Sequence, residues 1–422
     1  MNKKANSDTG FGSRITDALN EWRQFTETDG QMTRLYLTPE HQAAADSVMD
    51  RMVEAGMRAN MDAVGNVVGR YEADDPDAKT LLTGSHIDTV RNGGTFDGML
   101  GVALPIACVE ALNKAGRRLP FSIEVIAFGD EEGVRFPCTM TGSLAVAGRL
   151  PPENLDHRDS NGVSLGDALR AFGGDPSAIT MTARQRDQLL GFLEVHIEQG
   201  PVLETEGLPV GVVSAINGAS RIFVQVVGMA GHAGTVPMAL RQDALAGAAA
   251  MISAVEQGAI DNPSVVATVG TLDVRPGAIN VIPSVVEFTI DVRAPNDDLL
   301  QAVVGKLEAE IKQIAGRRDL DASCQITHRV EATGCDGAMM AMLEEAVEDC
   351  GIQPRRLASG AGHDAMILAS ICPMSMLFVR CAGGISHHPA ETVMERDMDV
   401  AAQVFMKFID RLADREAAHT TS

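Results

Sequence analysis

Positive charge is scarce in this chain. Lys and Arg number 35 against 57 Asp and Glu, a formal net charge of −22. Such a surface repels nucleic acid and anionic membranes, so neither is an expected partner. No run of eighteen or more apolar residues is present, and the opening eight residues lack the apolar core of a signal peptide, so no membrane span or export is expected. Seven cysteines, an odd count without a CxxC pair, fit free thiols in a reducing compartment and argue against a disulfide framework. These absences together predict a cytoplasmic protein. Internal repeats are missing too, and low complexity is confined to the alanine-rich stretch Ala244 to Ala250, which reads as a helix packed closely through small side chains. At 422 residues the chain is too long for one simple core, and two domains are expected.

What is present is a scattered set of metal-binding side chains. Residues 79–86 read as a short apolar strand ending in Gly84 and Ser85, which places His86 at a strand's carboxyl end, the ligand side of an open α/β sheet. Asp88 lies two residues on and is expected to accept the imidazole's other N–H and fix its tautomer. Residues 121–128 form a second apolar strand, which runs into Gly129, Asp130, Glu131, Glu132 and Gly133. Three adjacent carboxylates repel one another unless cations or solvent relieve them. A divalent ion would supply the missing charge, with one glutamate binding it and the other free as a base. His196 and His387 also follow apolar runs and are stopped by Gly or Pro. Five N and O ligands without cysteine suit zinc, manganese or cobalt. Two ions bridged by a shared carboxylate, with Asp97 as the bridge, would use all five.

The motifs GSHIDTVRNGGTFDG (84–98), DEEGVRF (130–136), HIEQGPVLE (196–204), GHAGTVPM (231–238) and GISHHPAE (384–391) occur in that order. In them the chain resembles the M20 metallopeptidase clan and, within it, the N-carbamoyl-amino-acid hydrolase and allantoate amidohydrolase (hydantoinase/carbamoylase) family, over about residues 15 to 410. The resemblance implies that His86, Asp97 and His196 bind one metal, that Asp97, Glu132 and His387 bind the other, and that Glu131 is the general base. His387 is preferred to His388 because the family's ligand directly follows the serine, here Ser386. It further implies that Gln199 contacts substrate, that His232 contacts substrate and stabilises an oxyanion, and that the protein is a homodimer in which this histidine reaches the partner's active site. The expected reaction is hydrolysis of a ureido C–N bond in a carboxylate-bearing substrate, releasing ammonia and carbon dioxide. Allantoate is the first expectation, with N-carbamoyl-L-amino acids or 3-ureidopropionate as alternatives. Aminoacylases and dipeptidases of the same clan are more distant, because many of them place a carboxylate where His196 stands. A cysteine amidase built on Cys138 is a separate reading, one that leaves the carboxylate cluster without a purpose.

Organisation changes near residue 217. Before it, helical stretches at 39–56 and 98–115 alternate with short apolar strands, as in a three-layer α/β domain. From 221 the expected order is strand 221–228, helix 239–257, strand 265–274, strand 284–293, helix 297–314 and strand 323–331. That is the β-α-β-β-α-β ferredoxin-like pattern, which needs its own sheet. The expected division is a zinc-peptidase-like catalytic domain in two parts, 1–217 and 333–422, around an inserted dimerisation or lid domain at 218–332. On the insert, His232 sits in a turn, Asn280 in a hairpin and Arg293 at a strand end. Singly each reads as an ordinary structural or surface residue; the resemblance assigns all three to substrate, with Asn280 and Arg293 suited to a carboxylate. The loop from Ala358 to Asp364 has glycines that permit close approach, and the resemblance places Gly360 and Ala361 against substrate.

Overall fold

The computed structural model describes residues 10–420. The chain divides into two compact units, one comprising residues up to 214, 335–357 and 363 onward, the other 215–334 with 358–362.

The larger unit is α/β, built on a mixed sheet. Seven of its strands run in the order Arg58–Met61, Val67–Tyr71, Ser122–Phe128, Thr80–His86, Leu189–Ile197, Met374–Val379 and Val210–Ile216. The four central strands are mutually parallel, and the flanking ones are antiparallel to their neighbours. Thr80–His86, Ser122–Phe128 and Met374–Val379 are buried at every residue, as parallel strands covered on both faces require. This is why they read in the sequence as continuous apolar runs. The helix Leu100–Lys114 is itself almost entirely apolar and buried from Leu100 to Val109, a helix enclosed on all sides. The long helix Glu395–Thr420 packs on Phe11–Trp22 and Gly337–Asp349, and contributes Phe405, Phe408 and Ile409 to the same core as Trp22 and Phe121. Among the described residues no helix is long and apolar enough to cross a membrane.

The smaller unit has the expected six-element order: Gly218–Val227, helix Ala244–Ile260, Val266–Arg275, Val285–Ala294, helix Asp297–Gly316 and Asp321–Val330. Its sheet is antiparallel, ordered 321–330, 218–227, 285–294, 266–275. Strand Val285–Ala294 alternates half-buried and buried side chains along its length, so Val286, Phe288, Ile290 and Val292 join Met251, Val255, Leu300 and Leu307 in a separate core. The first helix begins at Ala244, five residues later than its composition predicts. Met238–Leu240 forms a single 3-10 turn after Pro237, and the Asp243 side chain accepts the Ala246 N–H at 3.0 Å, fixing the start.

Candidate metal centre

Three parallel strands end at one place. His86 closes its strand, His196 is the penultimate residue of Leu189–Ile197, and Glu131 and Glu132 follow Ser122–Phe128. Asp97 lies in the loop between His86 and the helix that starts at Leu100, and Gly98 behind it has φ +68 and backs directly onto His86. A Cβ at Gly98 would lie 2.5 Å from the imidazole, so a side chain there would displace the ring.

Asp97 is the meeting point. Its Oδ1 lies 3.2 Å from His196 Nε2 and 3.7 Å from His86 Nε2, while its Oδ2 lies 3.1 Å from His387 Nε2. His387 Nε2 is also 3.7 Å from Glu132 Oε1. The potential ligand atoms of His86, Asp97 and His196 fall within 4.8 Å of one another, as do those of Asp97, Glu132 and His387 and those of His86, Glu131 and Glu132. The structure therefore brings together all five sequence-predicted ligands and the predicted base.

These residues fit cations. His86 Nδ1 is 2.9 Å from the Asp88 carbonyl and His196 Nδ1 is 3.0 Å from the Ile197 carbonyl, so each ring uses its Nδ1–H locally and turns an Nε2 lone pair toward Asp97. His196 Nε2 is buried without a hydrogen-bond partner. A lone pair aimed at a carboxylate oxygen is repelled unless a positive ion or proton lies between. The surrounding acids add to this. Burial drives the Glu131 carboxyl well above its usual range, and the carboxylates of Asp364, Glu132 and Asp88 push it further. Burial likewise raises Glu132, reinforced by Asp97 and Asp88. Asp97 moves the other way when protons occupy that place: hydrogen bonds from the protonated rings of His196, His387 and His86 outweigh its burial and hold it well below the usual carboxylate range. A surplus of carboxylates around three imidazoles is the kind of donor set that suits a divalent metal ion.

One detail differs from expectation. Asp88 does not accept the His86 N–H through its carboxylate, whose Oδ1 is 3.9 Å away; its backbone carbonyl does so. The carboxylate instead accepts the backbone N–H groups of Glu131 and Glu132, each at 3.2 Å, and so fixes the acidic turn. Gln199, expected to face substrate, has φ +57 and donates its amide to Asp97 Oδ2 at 3.1 Å and to Ser386 Oγ at 3.0 Å. The choice of His387 over His388 agrees with the geometry, since His388 Nδ1 accepts the Ala390 N–H and serves the turn.

Sequence reasoning missed the residues that brace this cluster. Arg34 is buried and donates to the carbonyls of Ile87 (2.7 Å), Trp22 (2.8 Å) and Phe25 (3.1 Å), pinning the loop that follows His86. Burial lowers its guanidinium to about 9, against the pull of Asp88. Buried Glu194 accepts from Ser85 Oγ at 2.7 Å and from the Ala365 N–H at 3.0 Å. His363 stands at the start of the helix Asp364–Leu368, where its carbonyl accepts the Met366 N–H at 3.0 Å, and its ring packs edge-on against His196 at 4.5 Å. An apolar strand with one glutamate is the only sequence signal for Glu194, and Arg34 has none.

In the smaller unit, His232 and Asn280 are neighbours: Gly231–His232 pairs with Val281–Ile282, and the Asn280 carbonyl accepts the Ala233 N–H at 3.0 Å. Both side chains are exposed. Arg293 binds Asp291 Oδ1 at 2.8 Å and donates to the Gly360 carbonyl at 2.6 Å, so it is engaged within its own unit. Ala361 N–H donates to Ser359 Oγ at 3.2 Å.

The sequence pattern of Peptidase family M20/M25/M40 matches residues 82–411. The chain is 41% identical over 406 residues to an N-carbamoyl-L-amino acid amidohydrolase of Geobacillus stearothermophilus, covering 96% of this chain and 99% of that one. It is 38% identical to allantoate deiminase 1 of Glycine max, with 94% and 88% covered. The solved structure of an amidase of the hydantoinase/carbamoylase family from Burkholderia multivorans superposes with a TM-score of 0.87 at 34% identity, over 94% of this chain and 97% of that one. Ligand geometry, fold and sequence thus agree, and the chain belongs to peptidase family M20/M25/M40, among its hydantoinase/carbamoylase-type amidases.

Proposed function

We propose that this hydrolase uses two divalent ions to cleave the ureido C–N bond of a small carboxylate-bearing substrate, releasing ammonia and carbon dioxide and leaving an amine-bearing acid. The observation that carries this reading is the split of Asp97: one oxygen faces His86 and His196, the other faces His387. His86, Asp97 and His196 would hold one ion, and Asp97, Glu132 and His387 the other. When bound, manganese, zinc or cobalt supplies Lewis acidity and lowers the pKa of water toward neutrality.

The protein's own groups do the rest. Glu131, half-buried beside His86 and Glu132, takes a proton from the attacking water and returns it to the leaving nitrogen. Asp88 keeps Glu131 in place through the backbone bond described above. His232 stabilises the developing oxyanion, and Asn280 and Arg293 receive the substrate carboxylate, with Gln199, Gly360 and Ala361 completing recognition. These assignments rest on the motif positions, and for Arg293 they require exchange of its present partners. The same motif likeness supports a homodimer with His232 acting on the partner's active site.

Allantoate is the substrate we place first, on the likeness of the motifs. N-carbamoyl-L-amino acids are the second reading, favoured by the 41% identity over almost the whole chain. The test is ammonia release from allantoate, N-carbamoyl-L-amino acids and 3-ureidopropionate by enzyme stripped with chelator and reloaded with manganese, zinc or cobalt. Turnover that returns only with metal supports the proposal. Turnover that survives chelation, or no ammonia from any ureido acid, overturns it.

A further inference from the structure

Asp97 can serve two ions only if its rotation and depth are fixed, yet it lies in a loop rich in glycine, with Gly93, Gly94 and Gly98 around it. The group that fixes it comes from far along the chain. Glu391 is buried, and its Oε1 accepts the backbone N–H of Phe96 at 2.8 Å and of Asp97 itself at 3.0 Å, across 294 residues of sequence. Its Oε2 lies 3.1 Å from Ser386 Oγ, which is in turn 3.2 Å from Asp97 Oδ2. Ser386 precedes His387, so one carboxylate grips both loops that meet at the centre. Gly94 makes room for it: a Cβ there would lie 2.0 Å from the Glu391 carboxyl carbon.

We propose that Glu391 is a positioning residue for Asp97, holding its two oxygens toward separate sets of imidazoles while anchoring the His387 loop. The inference rests on the two-ion reading above. Two bonds from consecutive N–H groups to one oxygen define both the height and the twist of the loop, which a single bond would not. Groups that orient metal ligands in this way typically affect metal affinity by about 10- to 100-fold when removed.

The test is titration of the metal-free full chain with Co2+, followed by the visible absorption of the bound ion. Glu391→Gln keeps a carbonyl oxygen for both N–H groups and should stay near wild type. Glu391→Ala, and Glu391→Asp, which is one methylene too short, should weaken uptake of Co2+ by about 10- to 100-fold and change the band intensities at full loading. Gly94→Ala should reproduce that loss by displacing the carboxylate, and adding it to Glu391→Ala should cost nothing more, the non-additivity expected of residues acting through one contact. Thermal unfolding checks that each variant folds; if the alanine variant does not, the Gln-against-Asp comparison decides. Wild-type affinity and spectrum in the aspartate or alanine variant would overturn the positioning role alone. A wild-type chain that takes up no Co2+ would instead remove the metal centre, and this inference with it.

Discussion

Glu131 and Cys138 sit seven residues apart and are the two groups that could start hydrolysis, and their surroundings separate them. The Cys138 thiol is pushed up to about 12 by burial and by Asp130, whose Oδ2 lies 3.7 Å from its sulfur. Almost no thiolate exists near neutral pH, so Cys138→Ser should retain activity within about twofold, and alkylating reagents should leave the enzyme working. Loss of activity on alkylation, with chelators ineffective, would restore the cysteine reading. Glu131→Gln keeps the shape but cannot accept a proton. We expect unchanged metal content by elemental analysis and a fall in kcat of about 10²- to 10⁴-fold; undiminished turnover would take the base role away from Glu131. At this scale the sequence was informative wherever a polar residue ends an apolar strand, as His86 and His196 do. It gave no role to Arg34 or Glu391, which reach Ile87 and Asp97, 53 and 294 residues away. It was misleading on Asp88, because nothing in a linear motif tells a backbone carbonyl from a carboxylate as the acceptor.

Elements were more legible than their ends. Buried parallel strands announce themselves as apolar runs, and the six elements of the smaller unit follow from their periodicity, whereas the start at Ala244 depends on a cap and a preceding turn. Helix Pro39–Glu54 shows how one element carries a pH dependence. His41 is buried on it, its Nδ1 accepting the Leu37 N–H at 3.1 Å and its ring stacked on Phe172 at 5.1 Å. Burial lowers its pKa from 6.5 to about 3, with Arg34 and Arg135 adding to the effect. Between those values the unfolded chain binds a proton that the folded chain refuses. This contribution to stability is therefore complete above pH 6.5 and is lost as pH falls toward 3, by up to about 1.4 kcal/mol per pH unit. Denaturant unfolding at matched metal loading should show that His41→Gln reduces the acid-side slope by roughly that amount. An unchanged slope would mean that the folded protein accepts the proton.

Over the whole molecule, acids outnumber bases, 57 to 35, and several of the excess carboxyls lie inside the fold: Asp88, Asp97, Asp130, Glu194 and Asp364 are all buried. Asp364 is raised to about 8 by burial, with Glu194 adding to it. Divalent cations relieve such crowding only in the folded state, so metal should raise the unfolding temperature. At a concentration about 100 times Kd the gain is about 2.7 kcal/mol for each ion bound. Calorimetry of stripped and reloaded protein checks this, and identical transitions would argue against a cation at the centre. The fold class is legible from strand and helix order, and the convergence at Asp97 is not, because it requires knowing which strands become neighbours. The two hydrophobic cores, one behind the metal-facing strands and one beneath the antiparallel sheet that carries Arg293, have a consequence for divergence. Substitutions that repack the core beneath the antiparallel sheet can accumulate without disturbing the side chains that converge on Asp97, because among the described residues the two cores share no side chain.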